Sequence, residues 1–136
     1  MQLSLLFDTG CLVLIWMVQL IVYPSFKYHH GQDFTTWHEI YTKRITLIVL
    51  PLMVGQLLMC SYQAYFSWDF LTGLKLLLVL ANWALTFIVF VPLHAKLNQD
   101  AATNTLKERL VSKNWLRTGL WSFVFVIAIV QLQLTL

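Results

Sequence analysis

The stretch that decides the fold is KLLLVLANWALTFIVFVPLH, residues 75–94. Between Lys75 and His94 it holds eighteen consecutive residues without a formal charge. An α-helix needs about 20 predominantly apolar residues to cross the ~30 Å hydrocarbon core of a bilayer, so this stretch predicts a transmembrane helix. Asn82 and Thr86 lie four residues apart and therefore share one face of that helix. Because a polar pair in lipid is tolerated only where it faces other protein, this face should point into a helix bundle.

The rest of the chain has the same character. Its 136 residues are 59% hydrophobic and 11% charged, whereas soluble domains carry about 25% charged residues. Uncharged runs of 18 residues or more cover residues 9–26, 45–68, 76–93 and 118–136. We therefore predict an all-α, polytopic membrane protein: a single domain over residues 1–136, folded as an up-down-up-down bundle of four transmembrane helices. The helices are expected at about residues 3–23, 36–64, 70–96 and 106–134.

The basic residues predict the orientation. Eight of the nine lie between or beside the first and second runs or the third and fourth runs, and Lys75 is the exception. By the positive-inside rule, both long loops are then cytoplasmic and both termini lie outside. Membrane topology and contacts with anionic lipid account for these charges, so nucleic acid is not an expected partner. The eight residues are Lys27, Lys43, Arg44, Lys96, Lys107, Arg109, Lys113 and Arg117.

Prolines and capping patterns predict the helix ends. Pro24 is expected to end the first helix. Thr36 with Glu39, and Thr105 with Glu108, have the capping-box spacing, so the second and fourth helices are expected to begin there. The two boxes are 69 residues apart, and Pro92 follows Pro24 after 68 residues. This similar spacing in the two halves has two possible explanations. One is a two-hairpin pseudo-repeat about an axis along the membrane normal, and the other is hairpin architecture alone.

Several residues inside the predicted helices have more than one interpretation. Pro51 should kink the second helix, and a kink beside Gly55 and Gln56 would open a space. Asp8 is either a solvated carboxylate at the outer interface or part of a proton-linked site. Gln19 either forms a hydrogen bond between helices or contacts a ligand.

Cysteine and histidine patterns do not predict a metal or thiol-redox centre. Cys11 and Cys60 either form a disulfide or are buried inert thiols, and no Cys-x-x-Cys pair supports a redox relay. His29 and His30 are adjacent, so they lack the i, i+4 spacing that points two helical ligands at one ion. Hydrated loop histidines are the favoured interpretation.

The candidate site lies in the cytoplasmic half, where polar groups from three helices reach a similar depth. His38 and His94 could clamp a haem or a divalent metal, or could hydrogen-bond backbone and lipid head groups. Arg117 either snorkels to lipid phosphate or points into the bundle, where it could hold a carboxylate, a quinone oxygen or a lipid phosphate. The predicted binding residues are His38, His94, Arg117, Asn114, Arg44, Gln56 and Asn82, and no catalytic residue is assigned.

Segments along almost the whole chain resemble a family of small bacterial four-helix membrane proteins. They are Tyr23-Pro24-Ser25-Phe26, the pattern Trp37, His38, Tyr41, Arg44, then Pro51-Leu52-Met53, Pro92-Leu93-His94, and Asn114, Trp115, Arg117, Thr118, Trp121. This resemblance implies the fold and a bacterial inner membrane, but no activity. More remotely, the layout is similar to membrane-bound haem-containing protoporphyrinogen oxidases and to anthrone-oxygenase-like proteins. A histidine is expected in the first helix of those haem proteins, and this chain has none there, so no catalytic role is carried over.

Three functions remain open from the sequence. The first is binding of a lipophilic or redox cofactor, with haem, quinone or lipid as candidates. The second is a non-catalytic accessory or assembly subunit of a larger membrane complex, suggested by apolar residues around the helices such as Val124, Ile127 and Ile129. The third is a transporter element, which the scarcity of intramembrane charge disfavours. The expected partners are the lipid bilayer and, for the second function, other membrane subunits or further copies of the chain.

Overall fold

Four long helices make up the structure, a computed structural model that describes residues 2–99 and 103–135. They are α1 (Leu3–Tyr28), α2 (Gly31–Phe66), α3 (Phe70–Leu97) and α4 (Asn104–Gln133), and each is long and apolar enough to cross a membrane. Within the described ranges the chain has no strand. The prediction of an all-α bundle of four membrane-spanning helices is confirmed.

The helices alternate in direction around the bundle. Each packs against its neighbour along the chain, and α1 also packs against α4, so that α1 and α3 lie on one diagonal and α2 and α4 on the other. Short connections force this antiparallel order. We call the end with the α1–α2 and α3–α4 connections the basic end. The opposite end, with the α2–α3 connection, is the aromatic end, where exposed rings are Tyr62, Tyr65, Phe66, Trp68 and Phe70.

The predicted start of α2 is wrong by five residues. The helix begins at Gly31, so Thr36 and Glu39 lie inside it rather than at its end. The additional turn carries Phe34, whose ring is fully buried 5.4 Å from the ring of Phe26. Helix formation in proteins depends more on such tertiary packing than on local preference, and here the packing extended the helix past the capping pattern.

The predicted start of α4 is wrong by two residues. Thr103 is the N-cap, and its hydroxyl accepts a hydrogen bond from the amide of Leu106 at 3.3 Å. The helix therefore begins at Asn104. Thr105 and Glu108 are exposed in its first turns. The hydroxyl of Thr103 therefore caps the helix, and that of Thr105, two residues later, does not.

A π-helical segment precedes a proline in both α1 and α3. The two segments are Val18–Val22 and Thr86–Phe90, and each ends two residues before its proline, Pro24 or Pro92. Proline lacks an amide hydrogen and disturbs the i→i−4 hydrogen bonds, and a π-bulge is one way in which a helix absorbs that disturbance. Pro24 therefore does not end α1, which continues to Tyr28. A π-helical segment before a proline therefore occurs at the same position in the α1–α2 hairpin and in the α3–α4 hairpin.

The space predicted beside Pro51 is filled by α1. A Cβ atom added to Gly55 would lie 2.2 Å from Cε1 of Phe7, and one added to Gly10 would lie 2.8 Å from Cδ2 of Leu52. Glycine at both positions lets α1 and α2 approach closely, as small residues commonly do between membrane helices. The space expected at this point of α2 is therefore occupied by side chains of the bundle.

Gly55→Ala should lower the free energy of unfolding by about 1–3 kcal/mol, because the ring of Phe7 must move out of the place it now occupies. Gly119→Ala is the matched control: a Cβ atom there meets nothing within 4 Å, so its stability should be unchanged or slightly raised. Chemical unfolding in detergent micelles measures both. Equal stability of the two variants would contradict the close packing of α1 on α2.

Candidate functional site

A cavity of about 320 Å³ lies in the basic half of the bundle, and all four helices contribute to its wall. This volume is at the lower end of the range typical of small-molecule sites, about 300–1,000 Å³. The exposed residues of the wall are Thr46, Val91 and Ala95, which belong to α2 and α3. The cavity therefore opens sideways between α2 and α3, close to the exposed charges of Arg44 and Lys96.

Arg117 lines this cavity and points into the bundle, which decides between the two predicted orientations. Its side chain is buried, with the guanidinium carbon 4.4 Å from the ring centre of Phe90 and 4.9 Å from that of Trp121. Its Nε has no hydrogen-bond partner, and no acidic side chain of the described chain pairs with it. Cation–π contacts offset part of the cost of burying this charge, but no anion neutralises it.

His38 and His94 form the middle of a hydrogen-bonded chain at the basic end. His38 Nδ1 lies 2.5 Å from Oδ1 of Asn98, His38 Nε2 lies 2.9 Å from His94 Nδ1, and His94 Nε2 lies 3.2 Å from the hydroxyl of Tyr23. One arrangement of protons satisfies every contact. In that arrangement the Tyr23 hydroxyl donates to His94, His94 Nδ1 donates to His38, His38 Nδ1 donates to the Asn98 carbonyl, and both imidazoles are neutral.

This geometry does not fit a haem or metal clamp. Axial ligation needs a ring nitrogen with a lone pair free to face the metal. All four ring nitrogens of His38 and His94 are instead engaged by each other and by their neighbours. Within residues 2–99 and 103–135, no group of three or more His, Cys, Asp or Glu side chains could hold a metal ion. The histidines therefore serve as hydrogen-bonding residues, with side chains as their partners.

His38→Ala should lower the free energy of unfolding by at least about 2 kcal/mol, because it leaves His94 Nδ1 and Asn98 Oδ1 without a partner in the packed end of the bundle. His30→Ala is the control, since that side chain is exposed and makes no capping hydrogen bond. Unfolding in the same detergent compares them. A His38 variant as stable as the His30 variant would show that the chain of hydrogen bonds contributes nothing to the fold.

The other predicted site residues fall outside the cavity wall. Asn114 donates to Oε1 of Gln19 at 2.8 Å and so ties α4 to α1, which makes Gln19 an interhelical hydrogen-bond partner. Gln56 belongs to a separate network in the aromatic half. Asn82 is buried, and neither polar atom of its side chain has a partner among the described residues. Arg44 is exposed on α2 and does not reach the cavity.

The cavity thus brings together His94 and Arg117 of the predicted set, with His38 one hydrogen bond behind. The predicted set of binding residues left out Tyr41 and Asn98, which are polar residues of the wall. Both had a usable signal. Tyr41 is three residues after His38 and Asn98 is four residues after His94, so each shares a helical face with a histidine already in the prediction. Tyr23, also missed as a site residue, faces the same cavity.

A second buried network lies in the aromatic half. Lys75 Nζ pairs with Oδ2 of Asp8 at 2.5 Å and donates to Ser4 Oγ at 3.0 Å. Gln56 Nε2 donates to Oδ1 of Asp8 at 2.9 Å, and Trp121 Nε1 donates to Oε1 of Gln56 at 3.1 Å. Asp8 and Lys75 are each only 1% exposed. The interpretation of Asp8 as a solvated interfacial carboxylate is therefore wrong, and the network joins all four helices across the centre of the bundle.

Lys107 has a structural role at the basic end. It is buried, and its Nζ donates to the carbonyl of His29 at 2.8 Å and to that of Phe26 at 3.4 Å. The ammonium also lies 3.9 Å from the ring centre of Phe34. A cation beside the last carbonyls of a helix satisfies their hydrogen bonding and is favoured by the helix dipole. Lys107 therefore fixes the end of α1 to the start of α4.

The two cysteines are free and buried. Cys11 on α1 packs in a cluster with Met53 and Trp121, and Cys60 on α2 packs with Val79. Of the two predicted alternatives, the structure has buried thiols rather than a disulfide.

Fold and site together define a class: a multi-pass α-helical membrane protein with a cavity that opens between two of its helices. Comparison of the chain with protein-family models, with curated proteins and with solved structures finds no match. The function is therefore argued from the geometry of the cavity.

Proposed function

We propose that the protein binds a lipophilic molecule whose head group carries an anionic or strongly accepting oxygen, held by Arg117 in the cavity between α2 and α3. The observation that carries this proposal is the buried guanidinium in the wall of a laterally open cavity, with no acidic partner among the described side chains. A buried charge without a partner is costly, so a ligand that supplies the missing acceptor gains affinity from the site. Quinones, fatty acids and anionic lipids share this chemistry.

The residues of the cavity wall suit a ligand with a polar head group and an apolar tail. Arg117 can donate two parallel hydrogen bonds to a carboxylate or phosphate, or one charge-assisted hydrogen bond to a quinone oxygen. Phe90 and Val49 are among the apolar residues that face the rest of the molecule. The cavity holds little more than a head group and the first part of a chain, so the remaining tail extends between α2 and α3 into the bilayer.

The site then lies in the cytoplasmic leaflet of a bacterial inner membrane. Of the eight basic residues that predict the orientation in the membrane, Lys107 and Arg117 are buried. The other six are all exposed at the basic end, whereas the remaining basic residue, Lys75, is buried in the aromatic half. The exposed positive charge is thus entirely at one end, which supports a cytoplasmic basic end under the positive-inside rule.

The test compares ligands that differ only in the head group. Delipidated protein in detergent is titrated with a long-chain fatty acid and with its methyl ester, with an anionic and a zwitterionic phospholipid of the same tails, and with a quinone. Native mass spectrometry and tryptophan fluorescence detect binding, since Trp121 lines the cavity. The acid or the anionic lipid should bind more tightly than its neutral partner, or the quinone more tightly than its tail alone. Equal binding of every matched pair would contradict the proposal.

The three residues that suggested an accessory-subunit function do not lie exposed on the outside of the bundle. Val124 and Ile127 are buried in the bundle, and Ile129 is half-buried. The exposed apolar residues of α4, among them Phe123 and Val126, are those expected of any lipid-facing helix. No specific contact surface for a second protein follows from them.

A further inference from the structure

A second cavity, of about 630 Å³, lies at the aromatic end of the bundle, and we call it the aromatic-end cavity. Its volume is in the middle of the range typical of small-molecule sites, about 300–1,000 Å³. The ends of α1, α2 and α4 and the α2–α3 connection form its wall. Among the described residues, none lines both this cavity and that of Arg117, so the two cavities are separate.

The charge of the aromatic-end cavity comes from Asp69, which is the one charged residue among the described residues of its wall. Asp69 is exposed, and it forms no ion pair with a described side chain. Asp8 and Lys75, which lie in the same half of the bundle, are buried and neutralise each other. The cavity therefore has a net negative charge, which attracts cations.

Asp69 can accept hydrogen bonds from a ligand although it also caps α3. Its Oδ1 accepts a hydrogen bond from the backbone amide of Thr72 at 2.7 Å. This hydrogen bond holds the pKa of the Asp69 carboxyl below its usual value, so the carboxyl is ionised at neutral pH. An ionised carboxylate can accept about four hydrogen bonds through its two oxygens. Capping therefore leaves most of its acceptor capacity for a ligand.

Two glutamine side chains in the wall add further acceptors. The side-chain amides of Gln63 and Gln131 both donate to Oγ1 of Thr72, at 3.5 and 2.9 Å. Their nitrogens are thus used on α3, which leaves the two carbonyl oxygens as acceptors. Within the described part of the chain, no side chain donates to either oxygen. Gln131 is only 6% exposed, so water reaches it mainly through the cavity.

The three acceptor groups lie close together because they share one partner. Asp69, Gln63 and Gln131 are all hydrogen-bonded to Thr72, the first through its amide and the other two through its hydroxyl. Thr72 is 2% exposed and belongs to the first turn of α3. It therefore fixes side chains from α2, α4 and the α2–α3 connection around one point of the wall.

Aromatic and aliphatic side chains form the rest of the wall. Tyr62 and Phe66 on α2 line the cavity, and their ring centres are 4.6 Å apart. Both side chains are largely exposed. The faces of aromatic rings attract cations, and aromatic side chains also supply large apolar contact surfaces. Leu3 and Met59 add apolar surface.

We propose that the aromatic-end cavity binds a primary ammonium group that carries an apolar chain. The ammonium has three N–H donors, which equal in number the acceptor groups of Asp69, Gln63 and Gln131. The apolar chain packs on Tyr62 and Phe66 and extends from the cavity into the bilayer. A quaternary ammonium has no N–H to donate, and an anionic head group would be repelled by Asp69. The ligand chemistry is thus opposite in charge to that of the cavity of Arg117, and the proposal is independent of that site.

Two sources can supply a primary ammonium with an apolar chain. One is the ethanolamine head group of a phospholipid, and the other is a free long-chain amine. The phosphate of the lipid would meet no exposed basic side chain in the described part of the aromatic end, where Lys75 is buried. The charge of the site therefore favours the free amine.

Ligands with one chain length and different head groups test the proposal. Purified protein in a neutral detergent is titrated with dodecylamine, dodecyltrimethylammonium and dodecanol, and native mass spectrometry measures binding. Dodecylamine should bind about 10-fold more tightly than either of the others, because only its head group combines a positive charge with three N–H donors. Equal affinity for dodecylamine and either of the others would overturn the proposal.

The same titration distinguishes the two sources. A phosphatidylethanolamine is compared with the phosphatidylcholine of identical tails. A preference for the ethanolamine lipid that is lost on Asp69→Asn would identify a lipid head group as the ligand. Equal binding of the two lipids, together with tight binding of dodecylamine, would identify a free amine. Both results support the site for a primary ammonium.

Asp69→Asn tests the position of the site. Asparagine is as good an N-cap as aspartate, so the variant should stay folded, while its affinity for dodecylamine should fall about 3- to 10-fold. Asp33→Asn is the matched control, since Asp33 is also an exposed carboxylate beside a helix start but lies at the basic end. Arg117→Gln should leave amine binding unchanged. A folded Asp69→Asn protein with undiminished affinity, or an equal loss in Asp33→Asn, would overturn the proposal.

Discussion

Asp8→Asn is expected to lower the free energy of unfolding by about 3 kcal/mol or more, because it leaves the buried Lys75 ammonium without its anion. Removing one partner of a buried ion pair typically costs about 3–5 kcal/mol. Both side chains are 1% exposed and the nitrogen–oxygen distance is 2.5 Å, so water cannot take over the role of the carboxylate. Lys75→Met should be similarly damaging, since it leaves Asp8 as the unpaired charge.

The double variant Asp8→Asn/Lys75→Met separates the value of the pair from the cost of an orphaned charge. It should recover much of the stability lost in either single variant, because no charge is left unpaired. Lys43→Met is the matched control: Lys43 pairs with Glu39 at 2.7 Å on the exposed face of α2, where water screens the charges, and its loss should change stability little. Unfolding in detergent measures all four proteins. Single variants no worse than Lys43→Met would contradict the buried pair.

Arg117→Gln is expected to weaken binding of the head-group ligand by roughly 10- to 100-fold, because a hydrogen bond to a charged group is worth about 1.5–3 kcal/mol. The same substitution should leave the stability of the ligand-free protein unchanged or higher, since it removes a buried charge that no anion neutralises. These opposite expectations distinguish a ligand-binding arginine from one that merely supports the fold. Ligand titration and unfolding of the delipidated protein provide the two measurements.

Arg44→Gln is the control for this experiment. Arg44 belonged to the predicted site, has the same side chain and lies at the same end of the bundle, yet it is exposed and outside the cavity wall. Its replacement should leave both affinity and stability unchanged. Equal loss of affinity in the two variants would assign the effect to the general positive charge of the basic end, and not to the cavity.

The arrangement of α1 and α3 explains why polar side chains connect helices across the bundle in both of its halves. These two helices lie on a diagonal and run in the same direction, from the aromatic to the basic end. Long polar side chains connect them in both halves: Lys75 reaches Asp8 in one half, and His94 reaches Tyr23 in the other. Each half of the bundle therefore has a polar centre that connects helices too far apart to pack closely.

The four helices, their approximate positions and the inward direction of most polar residues could be predicted from the amino-acid sequence. These features depend on the length and hydropathy of each segment and on the cost of exposing a polar group to lipid, and both are properties of the local chain. Asn82 on α3 and Gln19 on α1 are buried as that rule requires. The convergence of His38 and His94 was also predictable, because both were placed at one membrane depth.

Which charged residues are buried depends on how the helices pack against one another. Asp8 and Lys75 each lie near a helix end, where a charged side chain can reach water or can be buried in the bundle. The two residues are 67 positions apart along the chain. From the sequence, the two orientations of Arg117 had comparable cost. In the structure its guanidinium lies over the rings of Phe90 and Trp121. Burial of a charge depends on the partner that another helix brings to the same depth and side, and hydropathy along one helix contains no information about that partner.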